Sequence, residues 1–131
     1  MRKYSLLYAS LVGLALLAVI HLTAESFYLY WIIWWLDYAS HFIGGLSLGF
    51  LLLYIFYESS FFKGKISLSK AIFISFILAV IVGITWEIFE YANGLTQSTE
   101  KYSLDVAHDL LADALGTILA LLIARRFLKS S

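Results

Sequence analysis

The chain has 131 residues, 62% of them hydrophobic and 14% charged, with no proline, no cysteine and zero formal net charge. A soluble domain of this length is nearer half apolar and a quarter charged, so the composition is that of a membrane protein. There is no basic footprint for nucleic acid, no cysteine for a disulfide, thiolate metal site or thiol nucleophile, and no glycosylation sequon, because Asn93 is followed by Gly94-Leu95.

Residues 4–23 form the first spanning candidate, uncharged up to His21 and preceded by Arg2 and Lys3. A signal peptide cleaved near Ala24-Glu25-Ser26 competes with that reading. The apolar run is long for a signal sequence, and a retained helix is expected. Residues 26–36 are crowded with Phe27, Tyr28, Tyr30, Trp31, Trp34 and Trp35. Joined to the next span they would make a helix of about 45 Å, too long for one crossing. A short interfacial or re-entrant helix is expected instead, with a break near Asp37. The remaining spans are predicted at 38–57, 71–92 and 104–124, separated by polar segments at 58–70 and 93–103. The expectation is an all-α integral membrane protein: one domain over residues 1–131, with four transmembrane helices and a short aromatic helix before the second.

Orientation follows from Lys and Arg. Arg2, Lys3, Lys63, Lys65, Lys70, Arg125, Arg126 and Lys129 fall on one side of a four-span topology, and Lys101 alone falls on the other. Both termini are therefore expected in the cytoplasm, with the chain in the cell (inner) membrane. That topology gathers all three histidines and every acid except Glu58 at the outer side. Helical periodicity then aligns them. Asp37, His41, Gly45 and Gly49 share one face of the second span; Gly83 and Glu87, with Glu90 a turn on, lie on the third. Asp105, Asp109 and Asp113 stack on the fourth beside Ala112, Gly116 and Ala120. Small residues let membrane helices approach closely, so these faces are expected to meet around a cup of polar groups at the outer surface.

The ordered blocks Asp37-x-x-x-His41-Phe-x-Gly-Gly, Trp86-Glu87-x-x-Glu90 and Asp105-x-x-x-Asp109-x-x-x-Asp113-x-x-Gly116 resemble the YjdF-type family of small inner-membrane proteins. A looser similarity to VanZ-like membrane proteins lies in the Asp–His pair and the acid-bearing helices. The resemblance covers spans two to four. It implies a compact multi-helix membrane protein and no particular reaction.

An Asp at the centre of a membrane helix is unfavourable by roughly 2.5–3.5 kcal/mol, so this cluster needs a counter-charge. Carboxylates sharing protons in a packing network are one answer. A divalent cation held by His41, Glu87, Glu90, Asp109, Asp113 and Asp37 is the other, and it is favoured because no Lys or Arg lies at this depth. The donor set suits Zn, Mn, Fe or Mg. Asp37 doubles as an N-cap of the second span, and Asp105, with Ser103 competing, as an N-cap of the fourth. His108 points about 100° from Asp109, toward the rim. His21 reads as an interfacial anchor, and Trp86 with the other tryptophans as an aromatic belt or a lid. The metalloprotease HExxH helix, the Glu-x-x-His pairs of di-iron bundles, the CDP-alcohol transferase pattern and a serine nucleophile elbow are absent.

These readings favour a metal-dependent membrane hydrolase of a lipid-linked or phosphorylated substrate, with Glu90, Asp109 and Asp113 as the catalytic acids. A proton or divalent-cation transporter is the first alternative. Its weakness is the inner half of the spans, which offers hydroxyls and no ionisable side chain besides phenols. A non-catalytic protein whose polar network only fixes packing is the second. The lipid bilayer is the expected partner, with a lipid-like substrate; the composition leaves a homo-oligomer open.

Overall fold

Backbone groups inside a bilayer must be satisfied within the chain, and the protein meets that condition with helices alone. The computed structural model describes residues 4–95 and 100–129, and no strand occurs among them. Arg2 and Lys3, two of the eight positive residues expected on the cytoplasmic side, and residues 96–99 lie outside the described residues. The elements are α1 (Ser5–Ser26), α2 (Leu29–Ile32), α3 (Leu36–Leu53, continued as a π-turn over Tyr54–Glu58), α4 (Leu68–Asn93) and α5 (Tyr102–Lys129). Four helices, all but α2, are long and apolar enough to cross a membrane.

The helices overrun the apolar stretches because hydropathy marks the hydrocarbon, whereas helix ends are set by caps. Ser67 precedes α4 and accepts from the Lys70 amide at 3.4 Å. Gly94, at φ 65°, supplies the left-handed turn that stops the helix past Asn93. Two expected caps do not form. Trp35 occupies the N-cap of α3, which puts Asp37 inside the first turn. The α5 helix starts at Tyr102, so Ser103 and Asp105 are already helical. Both carboxylates are thereby released from capping their helices.

The α3 helix lies at the centre, with α1 on one side and α4 and α5 on the other. It runs parallel to α5 and meets it backbone to backbone. A Cβ built on Gly45 would collide with the Asp113 carbonyl, and one on Gly116 with the Phe42 carbonyl. The Thr117 hydroxyl donates to the Gly45 carbonyl at 3.0 Å across this contact. On α4 the buried positions Ala71, Ser75, Ala79, Gly83 and Glu87 recur every four residues, a small-residue stripe that ends on a carboxylate. The outward faces stay apolar, with Val12, Val19, Phe73, Ile81, Ile88, Leu115 and Leu122 exposed for lipid to cover.

The aromatic segment doubles back over one end of this bundle. Tyr28, in the left-handed region at φ 55°, reverses the chain into the single turn of α2. There Tyr30 is buried, its hydroxyl 2.9 Å from His21 Nδ1 and 3.4 Å from Ser40 Oγ. Burial pushes this phenol up, so it stays protonated and can both donate and accept.

Candidate metal centre

Each long helix after α1 brings its chemistry to the same end. His41 lies in the second turn of α3, Glu87 and Glu90 in the last two turns of α4, and Asp109 and Asp113 in the first half of α5. The small residues beneath them make the convergence possible. Gly83 leaves room for Asp113, whose Oδ2 would lie 2.9 Å from a Cβ at that position.

His41 is the hub. It is only 8% exposed, and Asp113 Oδ2 lies 3.2 Å from its Nδ1. On the opposite side of the ring, Nε2 faces three carboxylates: Asp37 at 3.8 Å, Glu87 at 3.9 Å and Asp109 at 3.9 Å. Glu90 completes the group beside His41 and Glu87. Asp109 and Glu87 are 1% and 5% exposed, and Asp109 Oδ1 and Glu87 Oε1 are buried with no hydrogen-bond partner. An ionised carboxylate left this way in a low-dielectric interior is strongly unfavourable. Among the described residues no Lys or Arg forms an ion pair with any of these acids, and the ion pairs they make all go to His41.

The donors form two sets with the spacing to hold a metal ion. Asp37, His41 and Asp109 are one, and His41, Glu87 and Glu90 the other, with ligand atoms within 4.8 Å of one another in each. These sets hold five of the six residues singled out from sequence, and Asp113 joins them through His41 Nδ1, each with a distinct position. Asp37 and Glu90 are half-buried at the mouth, Asp109 and Glu87 form the floor, and Asp113 sits behind the imidazole. Trp31, Trp34, Trp35 and Trp86, all the tryptophans in the chain, are exposed at this end. His108 is half-exposed and pairs with Glu100 at 3.1 Å, its ring set edge-on against Tyr38. His21 differs from the expected solitary anchor, since it holds Tyr30 in place.

Sequence reasoning did not reach two features. Tyr30 is one of six aromatics in eleven residues, and nothing in the pattern separates the buried one from those facing lipid. The division of labour around His41 also has no signature, because which ring nitrogen meets which carboxylate depends on helix rotation.

Residues 1–130 match the model of the family described as "Predicted membrane protein (DUF2238)", and the chain belongs to that family. No curated protein and no solved structure matches it.

Proposed function

We propose that this protein binds a divalent cation at the His41 centre and uses it to hydrolyse a lipid-linked or phosphorylated substrate at the outer face of the cell membrane. The observation that carries the reading is the pair of buried, partnerless oxygens, Glu87 Oε1 and Asp109 Oδ1, in a group of five carboxylates with one imidazole and no Lys or Arg. A cation supplies the missing counter-charge, and when bound it polarises a phosphoryl oxygen and acidifies a water. Asp113 accepts a hydrogen bond from His41 Nδ1–H, which leaves the Nε2 lone pair facing the other acids, the usual carboxylate–imidazole arrangement behind a metal. Glu90, half-buried at the mouth, is the base that would accept the water proton. The exposed tryptophans put this mouth at the headgroup layer, where a lipid phosphate resides.

The orientation belongs to the same reading. Lys63, Lys65 and Lys70 between α3 and α4, with Arg125, Arg126 and Lys129 at the end of α5, lie at the end opposite the acids, which makes the acidic end extracytoplasmic. Within the family we take the chain to be YjdF-type, on the three motif blocks above; the VanZ-like similarity contributes nothing further. Transport finds less support. Below the cluster Ser47 and Thr117 bond backbone carbonyls, and the inner halves of the spans carry no ionisable side chain besides phenols.

The test is elemental analysis of detergent-purified wild type beside a His41→Ala/Asp109→Asn double variant. Near-stoichiometric Zn, Mn or Fe in the wild type, absent from a still-helical variant, is the expected result. Absence of metal from both would sink the proposal. A stability measurement gives an independent sign: Asp109→Asn should raise the stability of metal-free protein by about 1–3 kcal/mol, because it removes an unpaired buried charge. With cation present the same substitution should lower it.

A further inference from the structure

We infer that the centre holds one cation, in either of two overlapping positions that both use His41 Nε2: one on Asp37 and Asp109, and a second on Glu87 and Glu90. The inference rests on the cation site proposed above and concerns how many ions it takes and how they sit.

The donors divide into two triads, and His41 is the member common to both. An imidazole can serve two ions only through both ring nitrogens. Here Nδ1 is engaged by Asp113 Oδ2 at 3.2 Å, in the space that Gly83 leaves beside it. One lone pair therefore remains, on Nε2, and a lone pair binds one ion. The carboxylate oxygens facing it approach from two helices on one side (Asp37 of α3 and Asp109 of α5) and from α4 on the other. Each triad contains one of the two partnerless buried residues, Asp109 in the first and Glu87 in the second. Neither position thus leaves the other triad satisfied, and each triad retains an unmet demand for positive charge. Metal–oxygen and metal–nitrogen bonds of about 2.0–2.2 Å put both positions within about 4 Å of each other. Two divalent ions at such a spacing are held together by bridging oxygen ligands in dinuclear sites, whereas the shared ligand here is a nitrogen. Each triad also has one half-buried member at the mouth, Asp37 or Glu90, so an ion can enter either position from the same side.

Binding of Mn²⁺ to detergent-purified full-length protein, followed by equilibrium dialysis and by the electron paramagnetic resonance signal of the free ion, decides the matter. Wild type should take up about one ion per chain. Asp37→Asn/Asp109→Asn and Glu87→Gln/Glu90→Gln should each still bind one, with affinity lowered roughly 10–100-fold and with different bound-state spectra, while the quadruple variant binds none. Circular dichroism and gel filtration certify that each variant is folded. Two ions per wild-type chain would overturn the inference, as would one pair abolishing binding while the other leaves it unchanged, since the site would then be single and fixed. No binding to wild type would remove the cation site itself, an outcome distinct from both.

Discussion

The two ends of this bundle are assembled by different physics. At the basic end Leu6, Leu53, Ala71, Leu121 and Ala124 form an apolar core, with Phe50, Tyr54, Phe56 and Leu128 packed on it. At the acidic end the buried residues include His41, Glu87, Asp105 and Asp109, and the helices are brought together by glycines. Lipid is as apolar as leucine, so the first end gains dispersion contacts and little hydrophobic driving force. The second end places charges where neither lipid nor protein solvates them, and only close backbone approach keeps them in register. That contrast is why the proposed function is located at the second end.

Three substitutions sharpen or break this contrast. The largest effect is expected of Gly45→Val, whose side chain would meet the Asp113 carbonyl; it should destabilise the fold by about 3 kcal/mol or more and abolish cation binding. Thermal unfolding in detergent and Mn²⁺ uptake measure the two together. Leu53→Ala, fully buried at the opposite end, should cost about 2–3 kcal/mol through the cavity it leaves. Its cation affinity should match wild type, and a large loss of affinity would show that the ends are not independent. The smallest effect belongs to Tyr30→Phe, which removes the hydroxyl between His21 and Ser40 and should cost about 1 kcal/mol. It should loosen the α2 segment, detectable as faster proteolysis after Tyr28 or Trp31, without changing the number of ions bound.

Much of the fold was legible in the chain. Runs of about twenty apolar residues separated by short polar segments specify spanning helices, since nothing else satisfies the backbone in lipid. The recurrence of Asp37, His41, Gly45 and Gly49, and of Asp105, Asp109, Asp113 and Gly116, at near four-residue spacing announced which faces would meet. Helix ends were less legible. Asp37 and Asp105 look like caps in sequence, and the helices start one to three residues earlier, at Leu36 and Tyr102.

The sequence by itself determined the membrane class, the spans and the gathering of acids at one end, because hydropathy and periodicity are properties of each helix alone. Only the tertiary structure decided that Asp113 stands behind His41 while Asp37, Asp109 and Glu87 face its other nitrogen. It also decided that Tyr30, among so many aromatics, is the one buried. Those outcomes depend on the rotation and separation of neighbouring helices, fixed here by contacts such as Gly45 on the Asp113 backbone and Gly116 on the Phe42 carbonyl. No periodicity within a single helix encodes them.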